Sequence, residues 1–164
     1  MASPNSRLAT AYHEAGHALM ALLLGRPVEK VTISPAKINA GGTRLGSCKI
    51  QKGRTKPTRD AVEDEVLILL AGMVAESFVT GRYNQAGASQ DLFMVQTLLT
   101  TNKAKDERRF QKLAKRMIDK TEHHLSADAA REALRMIAEQ LIEKETISGR
   151  AVKHLYETAE RSAG

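Results

Sequence analysis

Apolar residues recur over most of the chain at the three- and four-residue spacing that is typical of amphipathic α-helices. The first helix is predicted to begin near Ser3–Asn5, where Ser or Asn can cap it, and to end at Gly25. A second is predicted over "TRDAVEDEVLILLAGMVAESFVTG" and ends at Gly81. Later helices are predicted to begin at three capping serines, Ser89, Ser126 and Ser148. Whether the helix after Ser89 breaks before "RFQKLAKRMIDKTEHH" or continues into it is left open.

Alternating apolar and polar residues replace the helical spacing in one region near the N-terminus. "VEKVTISP" is rich in β-branched residues and predicts a strand over Val28–Ser34. A turn at Gly41–Gly42 and a second strand, "TRLGSCKIQ", are predicted to follow, antiparallel to the first and forming an exposed edge. We therefore expect a mainly α, α+β fold with a small β-sheet near the N-terminus. The length suits a single domain, 1–164, with the sheet and first helices in 1–104 and further helices in 105–164.

Composition and charge narrow the classes of partner. The formal net charge of +6 raises nucleic acid as a candidate. However, the chain has no Trp and few other aromatic side chains for stacking bases, and its basic residues are mixed with acids along the helices. We therefore expect no nucleic-acid partner. The longest apolar run, "ALMALLL", is too short to span a bilayer, and the N-terminus has no signal-peptide core, so we expect no membrane segment and a cytoplasmic location.

The stretch "AYHEAGHALMALLLG" in the first helix places polar side chains where apolar ones are expected. His13 and His17 are four residues apart, so both imidazoles lie on one helix face and can bind one ion. Zn²⁺ suits such ligands in a tetrahedral site that leaves one position for water. Glu14 is adjacent and can act on that water as a general base. Burying three polar groups without a ligand would cost several kcal/mol, which favours a metal site over histidines that merely pack in the core.

A catalytic zinc site needs a third protein ligand. His123 and His124 lie in a polar run and fit a helix end, where a histidine interacts favourably with the dipole. Asp91 stands in the first turn of a predicted helix, where a carboxylate is favoured even without a metal. Glu76 lies in the preceding apolar helix, either because the site needs its charge or as an exposed residue beside Ser77. The residues alone leave both acids open.

Five sequence segments occur in a characteristic order. They are "AYHEAGHAL", "VTISP" with a glycine-rich strand, "LAGMVAESFVTG", "GASQDL" and "LIEKETISGRAV". In this order they resemble the peptidase domain of the FtsH family of ATP-dependent zinc metalloproteases over nearly the whole chain. That family's AAA ATPase module has no counterpart among these 164 residues. An unfolding activity would therefore have to come from elsewhere.

The resemblance implies a specific set of site residues. The zinc ligands would be His13, His17 and Asp91, with Glu14 as the general base. Glu76 would orient one of the ligands, with direct binding to the metal as the alternative. The resemblance also implies one Zn²⁺ per chain.

The same resemblance implies how a polypeptide would bind. The segment "GGTRLGSCKI" would form an edge strand along which an extended substrate pairs. Its candidate substrate-binding residues are Gly42, Thr43, Arg44, Leu45 and Gly46. The implied partners are a homo-hexamer and a separate AAA ATPase, within a parent protein that a membrane could anchor. The expected function is hydrolysis of unfolded or flexible polypeptides, and the alternative is an inactive helical module that serves assembly or partner binding.

Overall fold

Helices make up most of the protein, and the strands are short. The computed structural model describes residues 4–37 and 43–164. In these residues the helices are α1 (Pro4–Leu23), α2 (Ala61–Thr80), α3 (Ser89–Asn102), α4 (Glu107–Ser126), α5 (Asp128–Lys144) and α6 (Gly149–Ala163). The strands are β1 (Val28–Thr32), β2 (Ala36–Lys37), β3 (Thr43–Arg44), β4 (Ser47–Ile50) and β5 (Thr146–Ser148). The prediction of a mainly α, α+β fold is confirmed.

Helix α2 is the centre of the molecule. Every residue from Val66 to Glu76 is buried, so this stretch is surrounded on all sides. Asp60 caps its start by accepting a hydrogen bond from the backbone N–H of Glu63, and Gly81 ends it in the left-handed conformation that glycine adopts readily. The predicted end of this helix is therefore confirmed.

Helices α1 and α2 pack against each other at very short range. A methyl group on Gly16 would lie 2.3 Å from the carbonyl oxygen of Ala71 and 2.6 Å from the Cβ of Ala75. Neither distance leaves room for a side chain, so the glycine is needed for the two backbones to meet. This contact brings the motif helix α1 directly onto the buried face of α2.

The main sheet has three antiparallel strands in the order β4-β1-β5. In its centre, Val31 of β1 pairs with Cys48 on one side and with Ile147 on the other. Strand β5 was not predicted, because three residues between two helical patterns give too short a period-two signal. Its pairing ties the C-terminal helices to the N-terminal sheet.

Two strand predictions need correction. The strand predicted over Val28–Ser34 ends two residues earlier, at Thr32. The N–H of Ile33, the next residue, donates a hydrogen bond to the carbonyl of Glu145, just before β5. The single strand "TRLGSCKIQ" is wrong, because the chain leaves the ladder between β3 and β4 and β3 pairs with β2 in a separate ribbon. Strand β4 does lie at the edge of its sheet, as predicted. The predicted turn at Gly41–Gly42 lies outside the described residues.

The C-terminal helices cover the α1–α2 pair. Helix α5 packs on α1 and α6, and α4 packs on α2. The side chains that are fully buried come from all parts of the chain and form one hydrophobic core, for example Leu19, Leu70, Leu99, Leu125, Leu134 and Leu141. Among the described residues, no helix is long and apolar enough to cross a membrane.

The predicted serine caps have mixed outcomes. Ser148 caps α6 by accepting a hydrogen bond from the N–H of Ala151, so this prediction is confirmed. The other two are wrong by one residue. Ser89 is already helical and Ser126 is the last residue of α4, while alanines hold the N-cap positions of α3 and α5. The first intrahelical bonds start from the carbonyls of those alanines, Ala88 and Ala127.

Helices α3 and α4 are separate, so the chain breaks before the segment for which the break was left open. Asp106 caps α4 by accepting a hydrogen bond from the N–H of Arg109.

Candidate metal centre

The two histidines of α1 face the same side of the helix, one turn apart. The centroids of their rings lie 4.7 Å apart, with the rings nearly perpendicular. Asp91, in the first turn of α3, approaches both of them. Its Oδ2 atom lies 3.1 Å from Nε2 of His13 and 3.2 Å from Nε2 of His17. Three side chains from two helices therefore direct one nitrogen or oxygen atom each at a common point.

This geometry fits a tetrahedral zinc ion. Zinc bonds of about 2.0–2.1 Å at tetrahedral angles separate the ligand atoms by about 3.3 Å. The two nitrogen-to-oxygen distances agree with that separation to within about 0.2 Å. The histidine side chains are 11–13% exposed and Asp91 is 25% exposed, so solvent reaches one side of the cluster. Among the residues that the structure describes, His13, His17 and Asp91 form a group whose ligand atoms lie close enough together to hold a metal ion.

Helix α2 determines which nitrogen of each imidazole faces the cluster. Nδ1 of His17 lies 2.7 Å from the carbonyl oxygen of Ile68, which can only accept a hydrogen bond, so Nδ1 carries the proton. Nε2 is thereby directed at Asp91, and it is the nitrogen that could bind a metal once it has given up its proton. Nδ1 of His13 lies 3.3 Å from Oε2 of Glu76, a carboxyl that is only 7% exposed. The alternative that Glu76 is a surface residue beside Ser77 is therefore not what the structure shows.

Gly72 makes these contacts possible. A methyl group at its Cα would lie 2.5 Å from Nε2 of His17 and 2.6 Å from Nε2 of His13. Both rings thus rest on the bare backbone of α2, and His17 reaches across it to the Ile68 carbonyl. Gly72 is not among the predicted site residues, although a glycine inside a strongly helical pattern is a signal for close packing. The Ile68 acceptor is a backbone atom and has no sequence signal.

The cluster favours positive charge. Burial lowers the pKa of His13, but the hydrogen bonds to Asp91 and Glu76 outweigh that effect and raise it to about 10. Burial acts in the opposite sense on Asp91 and raises its pKa, but the hydrogen bonds from His13 and His17 hold it well below its usual range. Two carboxylates around two imidazoles are the environment in which a bound cation is stabilised.

Glu14 lies beside this cluster, on the side of strand β4. The residue is 7% exposed, and Gly46, just before β4, packs against its Cγ and Cδ atoms. The charge of Glu14 also reaches Cys48. Burial first, and then this charge, raise the pKa of the Cys48 thiol. The predicted general base is thus a buried carboxylate that is close enough to His13 for their charges to interact.

Of the five predicted substrate-binding residues, the four that the structure describes do not form one continuous strand. Gly42 lies outside the described residues. Thr43 and Arg44 form β3 in the small ribbon, and Leu45 is 57% exposed. Gly46 is buried between Thr32 and Glu14. The structure therefore separates the ribbon from the position that adjoins the site.

Comparison with known proteins gives one consistent result. Residues 1–104 match the sequence profile of Peptidase family M41. The chain is 36% identical over 90 residues to the ATP-dependent zinc metalloprotease FtsH of Protochlamydia amoebophila, which covers 54% of this chain and 9% of that protein. It is 33% identical over 135 residues to the ATP-dependent zinc metalloprotease YME1 homolog of Schistosoma mansoni, and this match covers 81% of this chain and 20% of that protein. With the ATP-dependent zinc metalloprotease FtsH of Rickettsia bellii the identity is 28% over 193 residues, and this match covers 93% of this chain and 29% of that protein.

The chain thus spans less than a third of the length of these three relatives. The matched residues 1–104 include the whole of α1, α2 and α3, which carry the cluster described above. The resemblance to the FtsH family noted in the sequence is confirmed. This chain belongs to Peptidase family M41.

Proposed function

We propose that this chain is a zinc-dependent metalloendopeptidase domain that hydrolyses peptide bonds in unfolded or flexible polypeptides. The observation that supports it is the convergence of His13, His17 and Asp91 on one point, with the buried carboxylate of Glu14 beside them. The two Nε2 atoms and Oδ2 of Asp91 would hold one Zn²⁺. When bound, zinc makes a water molecule more acidic and polarises the scissile carbonyl.

The remaining roles fall to the side chains themselves. A carboxylate oxygen of Glu14 would accept the proton of the attacking water and deliver it to the nitrogen of the leaving amine. Glu76 would orient His13 by accepting the Nδ1 proton, as the Ile68 carbonyl does for His17. An extended polypeptide would pair with β4, which lies at the edge of its sheet among the described residues and begins directly after Gly46, the neighbour of Glu14.

The partners are part of the same proposal. The relatives' names describe ATP-dependent enzymes, and the chain spans only a part of them. We therefore propose that the domain works in a homo-hexamer with an AAA ATPase that unfolds the substrate, and that it lies in the cytoplasm.

Metal content and casein hydrolysis, measured on the wild type and on Glu14→Gln, test the proposal. We expect about one zinc per chain in both proteins, cleavage by the wild type alone and its loss with a chelator. Loss of a general base typically costs about 10²–10⁴-fold in rate. Glu143→Gln, an exposed change on α5, is the matched control and should keep full activity.

The other outcomes separate the alternatives. Zinc without cleavage in either protein, even on an unstructured peptide, would favour the inactive module that serves assembly. Absence of zinc after reconstitution would refute the metallopeptidase.

A further inference from the structure

A glycine beside the site occupies a position where only a glycine fits. Gly46 is buried, and a methyl group at its Cα would lie 2.9 Å from Cγ and 3.3 Å from Cδ of Glu14, and 2.8 Å from the carbonyl oxygen of Thr32. The glycines with positive φ among the described residues are Gly25, Gly53 and Gly81, so Gly46 has a backbone conformation open to any residue. The lack of space, and not the backbone angle, is what requires glycine here.

One of the two neighbours is fixed. Thr32 ends the central strand β1 and is paired on both sides, with Ser47 of β4 and Thr146 of β5. Its hydroxyl lies 2.7 Å from the hydroxyl of Thr146, which adds a further hydrogen bond across the sheet. The side chain of Glu14 has rotatable bonds and can move at lower cost. A methyl group on residue 46 would therefore displace the side chain of Glu14, and its contact with the Thr32 carbonyl would in addition push residue 46 away from β1.

The contact does not involve the metal ligands. The three atoms nearest to the added methyl belong to Thr32 and Glu14. We propose that Gly46 is a positioning residue, which fixes the side chain of Glu14 against the edge of the sheet so that its carboxylate faces the reacting water. This inference rests on the proposed function, because it assigns Gly46 a role in the reaction through Glu14. It also replaces the predicted role of Gly46 as a substrate contact.

Gly46→Ala tests the positioning role. We expect about one zinc per chain and an unchanged affinity for zinc in chelator competition, with kcat for casein about 10²-fold lower and KM within about twofold, because a misplacement of about 1 Å in a catalytic group costs that much. Gly81→Ala is the matched control. Its added methyl meets no atom within 4 Å but its φ of 81° is strained, so it should lose thermal stability and keep kcat. Loss of zinc from Gly46→Ala, or an unchanged kcat, would overturn the proposal.

A second measurement does not depend on activity. Urea unfolding of the wild type, Gly46→Ala, Glu14→Ala and the double variant forms a thermodynamic cycle. We expect Gly46→Ala to lower the urea midpoint when Glu14 is present and to lower it clearly less when Glu14→Ala has vacated the space. Equal effects in both backgrounds would overturn the contact. If the wild type itself cleaves nothing, the proposed function fails on its own, and the cycle still decides whether Gly46 holds Glu14.

Discussion

Replacing Gly72 of α2 by alanine should weaken zinc binding. The methyl would lie 2.5 Å and 2.6 Å from the Nε2 atoms of His17 and His13, about 1 Å closer than the optimum of roughly 3.5 Å for non-bonded atoms. In the zinc-free protein the rings can move away from it. In the zinc-bound protein they are held within about 0.2 Å of their coordination distance, so the strain falls on the bound state.

The size of the effect follows from the cost of overpacking, which is typically about 1–3 kcal/mol. Applied to binding, this raises the dissociation constant for zinc by about 5- to 150-fold. Helix propensity acts in the opposite direction, since alanine inside a helix is favoured over glycine by about 1 kcal/mol. Gly72→Ala should therefore unfold in urea at a midpoint close to that of the wild type when zinc is absent.

Competition with a chromogenic chelator measures the affinity, and urea unfolding with and without zinc measures the stability. Gly81→Ala, at the end of the same helix and far from the imidazoles, should bind zinc as the wild type does. Wild-type zinc affinity in Gly72→Ala would show that the rings do not rest on the α2 backbone and that α2 does not position the imidazoles.

Two further changes test the scaffold. Asp60 caps α2 and pairs with Lys103. The contact with Lys103, and then the hydrogen bond from the Glu63 N–H, hold the pKa of the Asp60 carboxyl below its usual value. The stability that this carboxylate adds to the fold is therefore complete above about pH 4 and is lost as the pH falls further. Asp60→Ala should cost about 1–2 kcal/mol in urea unfolding at pH 7, and the difference between wild type and Asp60→Asn should narrow from pH 6 to pH 3; a constant difference would contradict the ion pair. Leu134→Ala removes a fully buried side chain of α5 and should cost about 2–5 kcal/mol of unfolding free energy while leaving the zinc affinity of the folded protein unchanged, as chelator competition would show.

The features that the sequence predicted correctly depend on short-range information. The helical spacing, the end of α2 at Gly81 and the cap at Ser148 are each determined by residues within a few positions of one another. The same is true of His13 and His17, whose common face follows from their separation of four residues. Asp91 needed the family resemblance as well, because a carboxylate in the first turn of a helix has an ordinary explanation.

The features that were missed depend on long-range contacts. Strand β5 exists because residues 146–148 reach β1, far away in the sequence, and its own three residues carry no pattern. The chain leaves the ladder between β3 and β4 next to Gly46, which packs against Glu14 of α1, and no local signal encodes that contact. The N-caps predicted at Ser89 and Ser126 were each off by one residue. The turn before α3 makes Ala88 its N-cap, and α4 extends through Ser126, so that Ala127 is the N-cap of α5.

His13 and His17 lie on α1, but the groups that orient their imidazoles lie on α2 at a regular spacing. Ile68, Gly72 and Glu76 follow one another at four-residue intervals and therefore form one stripe along α2. The first accepts the Nδ1 proton of His17, the second leaves space for both rings, and the third faces Nδ1 of His13. A shift of α2 by one residue would turn this stripe by about 100° and remove all three contacts. The two-histidine spacing on α1 is thus matched by a complementary spacing on α2, and the register of the two helices orients the imidazoles before any metal binds.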